Sequence, residues 1–74
     1  MRKIIGLRLS NSGSWSLIVH HLGGDDLLRC GEGLEGLRSM GELLSIWGLH
    51  PRAIDALGGR GLLDLAPGES VYWG

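Results

Sequence analysis

The chain has one cysteine, no phenylalanine, one tyrosine and no uninterrupted apolar run long enough to cross a bilayer. Each shortage excludes something. A lone Cys30 rules out an internal disulfide, so a reducing, cytoplasmic setting is the simplest expectation. With three Trp and one Tyr as the only aromatics, Leu and Ile must fill most of the core. Behind Arg2 and Lys3 the apolar stretch is broken by Gly6 and Arg8, which suits neither a signal peptide nor a membrane span. Charge of either sign is thin: seven Lys and Arg against eight Asp and Glu, for a net charge of −1. No basic stripe advertises nucleic acid. The acids Asp25, Asp26, Glu32, Glu35 and Glu42 gather in the middle third but are too sparse to imitate a phosphate chain.

What is present describes a small folded domain. The apolar fraction is 43% and the mean hydropathy +0.12, so disorder is not expected. Seventy-four residues make one domain, near the lower end of what a hydrophobic core sustains. A core this small leaves apolar surface uncovered, which favours a larger partner or a homodimer.

The opening reads as a β-hairpin. The runs Ile4–Leu9 and Trp15–Leu22 flank a turn cluster at Ser10–Ser14. Alternation places Ile5, Leu7 and Leu9 on one face of the first strand, with Arg8 on the other. In the second, Trp15, Leu17, Val19 and His21 oppose Ser16, Ile18, His20 and Leu22. Gly23 to Asp26 reads as a turn and Leu27–Cys30 as a third strand. From Gly33 to Trp47 the period changes to helical: Leu34, Leu37, Met40, Gly41, Leu44 and Trp47 form a stripe that Leu43 and Ile46 widen, opposite Glu35, Arg38, Ser39, Glu42 and Ser45. Gly48 suits a left-handed helix end. Pro51 opens a short helix, Arg52–Leu57, stopped by Gly58–Gly59. Leu62–Leu65 is ambiguous in period. Ala66-Pro67-Gly68-Glu69 carries type II turn chemistry before a last strand, Ser70–Trp73. The fold class is therefore α+β: a small antiparallel sheet in the order β-β-β-α-α-β with the helices on one face.

No chemical constellation completes itself along this chain. Gly31-x-Gly33-x-x-Gly36 matches a dinucleotide-binding fingerprint, with Asp55 near the place of a ribose-binding acid. The required second parallel strand does not follow, and with 14 glycines a chance match is the expected reading. A metal site would need His21, Cys30 and His50 to converge, since adjacent His20 and His21 point to opposite faces of a strand. No nucleophile stands beside an oriented base, so neither catalysis nor a cofactor is expected. Protein binding remains, with Trp73 and Tyr72 as exposed anchors and Glu35, Arg38 and Glu42 as a steering face. Trp15 and Trp47 are expected in the core. The alternative is a small regulatory nucleic-acid binder using Arg2, Lys3, Arg8 and Trp15.

In size and element order the chain resembles the small inhibitors carried by bacteriophages, particularly anti-CRISPR proteins. The resemblance rests on the hairpin Ile4–Leu22, the helix Leu34–Trp47 and the closing segment Gly68–Trp73, and no motif carries over residue by residue. It implies a stoichiometric inhibitor that occupies a surface of a larger protein or ribonucleoprotein complex, in some cases as a dimer.

Overall fold

In the computed structural model, which describes all 74 residues, the two opening runs pair as expected. Strand β1 (Lys3–Leu9) lies antiparallel to β2 (Ser14–His21), with Leu7 opposite Leu17 and Leu9 opposite Trp15. Gly13, at φ +85°, closes the turn between them. A third strand, β3 (Gly24–Glu32), pairs with the far side of β2. Helix α1 (Gly33–Ile46) and helix α2 (His50–Leu57) follow, then a 3₁₀ turn (Leu62–Asp64) and strand β4 (Ser70–Tyr72). The sheet order is β3-β2-β1-β4, antiparallel throughout.

One face of this sheet meets both helices. Leu7, Trp15, Leu17 and Val71 pack against Met40 and Leu44 of α1 and Ala53 and Leu57 of α2. The simple alternation of β1 needs one correction. A bulge between Ile4 and Gly6 leaves Ile5 without a partner on β2, so Ile4, not Ile5, joins Leu7 and Leu9 on the core side. The loop after β2 is also shorter than expected. His21 pairs directly with Gly24, so only Leu22 and Gly23 turn the chain, and β3 runs well past both ends of Leu27–Cys30.

The helical stripe is rotated from its expected centre. Gly36, Met40 and Leu44 are its buried positions, while Leu34, Ile46 and Trp47 are exposed. The reason lies in Gly31 and Gly36, which bring α1 down onto β3: a Cβ on Gly36 would stand 2.1 Å from the Gly31 carbonyl oxygen. The glycine-rich fingerprint is thus a close-packing device at the strand-to-helix corner. No second parallel strand follows it.

Helix α1 ends in a Schellman motif. Gly48 (φ +67°) donates to the Ser45 carbonyl, and Leu49 donates to that of Leu44. Leu49 then packs back on the core, and His50 opens α2 two residues earlier than the sequence suggested. The ambiguous Leu62–Leu65 segment resolves as the 3₁₀ turn with Leu65 buried behind it.

This turn is clasped to the Pro-Gly corner by one ion pair. Arg60 reaches Glu69 with two hydrogen bonds of 2.5 and 2.7 Å, and Glu69 Oε1 also accepts the Ala66 N–H at 2.9 Å. These donors hold the Glu69 carboxyl down at about 2. A carboxylate depressed in the folded state contributes stability that is present above its unfolded pKa and lost as pH falls through the folded one. Stability is therefore expected to drop as pH falls from about 4.5 to about 2. Glu69→Gln should flatten the dependence of the urea midpoint on pH in that window; an unchanged slope would remove Glu69 from the acid response.

Candidate interaction surface

The helices cover one face of the sheet and leave the other open. Cross-strand register lays out the open face row by row. Ser70, Arg8, Ser16 and Arg29 form one row, and Tyr72, Gly6, Ile18 and Leu27 form the next. Lys3, His20 and Asp25 form a third. The middle row is apolar. Tyr72 and Leu27 stand at its ends, each 57% exposed, while Ile18 between them is buried to 3%.

Gly6 makes this row possible. A Cβ there would lie 2.4 Å from the Val71 carbonyl oxygen and 3.2 Å from the Tyr72 ring, so only glycine lets β4 and Tyr72 approach. The row above is partly committed to structure. Arg8 donates to the Gly68 carbonyl at 3.0 Å and to Ser70 Oγ at 3.1 Å, and Arg29 lies 3.3 Å from Glu32. In the row below, His20 Nδ1 and Asp25 Oδ1 are 2.7 Å apart.

The sequence-expected anchors separate. Tyr72 is on the open face. Trp73, its neighbour, alternates to the helix side, packs against the core, and is half-buried. Its indole N–H donates to Ile4 O at 3.1 Å and its backbone N–H to Ile5 O at 2.8 Å, satisfying the two carbonyls at the β1 bulge. Trp73 is therefore a structural residue and not an exposed anchor. Trp47 is the reverse case: expected in the core, it is 47% exposed just past the end of α1.

Glu35, Arg38 and Glu42 lie exposed on α1, on the opposite side of the molecule from Tyr72. Arg38 and Glu42 pair at 3.4 Å, an exposed contact worth about a few tenths of a kcal/mol. These residues and Tyr72 cannot contact one flat partner surface together. Two concave features accompany them. A groove at the outer edge of β3 against α1 is mixed in character, lined by Cys30, Leu43 and Ile46 together with Arg29, Ser39, Glu42 and Ser45. A cleft between α2 and the 3₁₀ turn is lined by Ala53, Ile54, Leu57, Leu62 and Leu63.

The nucleic-acid set does not assemble either. Trp15 is 5% exposed within the core, and its face of β2 is opposite the one where Arg8 meets Ser16. It has no surface on which a base could stack. Arg2 and Lys3 stand at the other end of β1 from Arg8. The metal candidates stay apart, with no group of three His, Cys, Asp or Glu side chains placed to hold an ion. Burial pushes the Cys30 thiol above its ordinary value, away from the thiolate that nucleophilic chemistry uses. No helix is long and apolar enough to cross a membrane.

Ile18, Leu27 and Arg29 escaped selection from sequence, although one signal was available. The second face of β2, Ser16-x-Ile18-x-His20, carries an apolar residue between polar ones, the pattern of a sheet face that is neither core nor fully solvated. Compared with known proteins, the chain matches no protein-family model, no curated protein and no solved structure.

Proposed function

We propose that this chain is a small protein-binding module, an inhibitor or adaptor that docks through its open sheet face onto a larger protein. The observation carrying this reading is the apolar row Tyr72–Ile18–Leu27, bordered by the charged and polar rows of Arg8 and Arg29 above and Lys3, His20 and Asp25 below. That is the anatomy of a compact binding patch: an aromatic and aliphatic centre with a polar rim. Mixed rim charge favours a protein partner over a polyanion. Arg8 already donates to the Gly68 carbonyl and to Ser70 Oγ, so its capture by phosphates would forfeit existing contacts. The resemblance to phage-borne inhibitors makes a bacterial effector complex the first target class to try.

The test is capture from bacterial lysate with the tagged chain and its Tyr72→Ala variant in parallel, scored for both protein and nucleic acid. One large partner at fixed stoichiometry is expected with the unaltered chain. Truncating an anchoring aromatic that contributes about 2 kcal/mol should weaken that complex about thirty-fold. Recovery of nucleic acid alone, released as salt rises, would overturn the reading in favour of a nucleic-acid binder. A complex indifferent to Tyr72 would remove the open face from it.

A further inference from the structure

We infer that two copies of this chain associate through β3, joining their sheets edge to edge about a twofold axis at Leu27. β3 is the longest strand, with nine residues, and it has a sheet neighbour on one side only. Residues 24–29 are exposed, the strand contains neither proline nor lysine, and its charges (Asp25, Asp26, Arg29 and Glu32) are of both signs, so they bar a second strand only in registers that set like against like. Its irregularity falls at Cys30, where Trp15 pairs with Gly31 and Ser16 with Arg29, so the stretch before it pairs regularly with β2. An unpaired row of backbone donors and acceptors is thus held extended and ready for another strand.

The order of side chains along β3 identifies that strand as a second β3. A twofold axis normal to the sheet keeps both open faces on the same side, so each residue meets one of its own face. On the open face β3 presents Asp25, Leu27 and Arg29, an acid, an apolar residue and a base in that order. Read antiparallel about Leu27, this triplet is its own complement. Asp25, which lies 2.7 Å from His20 in its own chain, meets Arg29 of the second copy, Leu27 meets Leu27, and Arg29, 3.3 Å from its own Glu32, meets Asp25, so each new ion pair is shared with an exposed contact already made within the chain.

The neighbouring registers lack this match. Pairing about Leu28 sets Leu27 against Arg29 and loses both charge contacts. Pairing about Asp26 sets two aspartates face to face, and pairing about Arg29 sets two arginines so; like charges directly opposite are destabilising. Only the Leu27 register satisfies every residue of the triplet. It also gives Leu27, 57% exposed in the single chain, an apolar neighbour across the axis. The joined sheet has eight strands and a doubled open face, because Tyr72 and Ile18 lie on the strands away from the new seam.

Charge reversal tests the register directly, with mass read by light scattering or sedimentation. The unaltered chain is expected at twice its 8.0 kDa, and Asp25→Arg or Arg29→Asp alone should raise the dimer dissociation constant about tenfold or more. Mixing the two weakened variants should restore the dimer. One variant then carries a base at both positions and the other an acid at both, so each cross-strand pair is again of opposite sign. That rescue also establishes that both variants are folded. The inference is overturned if the unaltered chain stays at 8.0 kDa at its highest soluble concentration. It is equally overturned if single reversals dimerise undiminished, or if the mixture fails to recover.

Discussion

Replacing Gly36 with alanine should strongly destabilise this protein, whereas the same change five residues later at Gly41 should stabilise it. Both glycines sit inside α1, where alanine is the better helix former by about 0.5–1 kcal/mol. Propensity alone would therefore make both substitutions favourable. Packing reverses the sign at one of them. A Cβ on Gly36 falls 2.1 Å from the Gly31 carbonyl oxygen and 2.2 Å from its carbon, while nothing lies within 4 Å of a Cβ on Gly41. The obstruction at Gly36 is backbone, so no rotamer change relieves it; α1 must lift from β3 or the corner at Gly31 must rebuild.

Overpacking typically costs about 1–3 kcal/mol, and a backbone clash this close belongs at or beyond the top of that range. A domain of this length has about 4–11 kcal/mol of stability in total. A loss of about 3 kcal/mol lowers the melting temperature by about 12 °C or more, and Gly41→Ala should raise it by about 2–8 °C. Thermal scans of the two variants beside the parent decide the matter. A Gly36→Ala protein within about 1 kcal/mol of the parent would mean that helix and strand do not touch at this corner.

These two glycines also explain what could and could not be read from the chain. Strand and helix order was legible because the hairpin alternates with period two, α1 repeats with helical spacing, and Gly48 and Pro67-Gly68 punctuate as their chemistry requires. The exact buried stripe of α1 was not. Its closest-approach position is Gly36, which carries no hydropathy signal, so the stripe read from the sequence held Met40 and Leu44 correctly but ran on to Leu34 and Trp47 and passed over Gly36. Leu34 and Trp47 looked like core and are surface. The Ile5 bulge was invisible for a related reason: Ile4 and Ile5 are chemically alike, and either could have taken the core position.

The candidate site was only partly legible. Tyr72 could be selected as an anchor because it lies in a short strand near the end of the chain. Which of two adjacent aromatics points outward depends on the register of β4 against β1, where Val71 opposite Leu7 sends Trp73 inward. The exposure of Leu27 follows from β3 being an edge strand, a property of the sheet order and not of the β3 sequence. Alternation alone put Ile18 on the face opposite Trp15, but only the absence of a helix over that face gives the position its meaning.

That distinction carries the second large effect. Leu17 and Ile18 are adjacent in β2 and almost equally inaccessible, at 0% and 3% exposure, yet alanine should cost far more at the first. Leu17 lies between Leu7 and Leu28 in the sheet and belongs to the same buried cluster as Met40 and Leu44 of α1. Truncating it leaves a cavity walled on every side by packed elements that cannot all move inward. The expected loss is about 2–5 kcal/mol, up to half or more of the total stability. Ile18 lies outside that cluster, in the open-face row with Gly6, Tyr72 and Leu27, and Tyr72 approaches over Gly6. Tyr72 and Leu27 are half-exposed and free to settle into the space, and water can reach what remains. The expected loss there is about 1–2 kcal/mol, because the site can collapse. Urea titrations at matched protein concentration measure both, since an associating chain gains apparent stability with concentration. Ile18→Ala should show its larger effect on partner binding, where its flattened row no longer supports Tyr72. Equal losses for the two variants would mean that the open face is itself covered in solution, and the docking surface would have to be sought on the helix side.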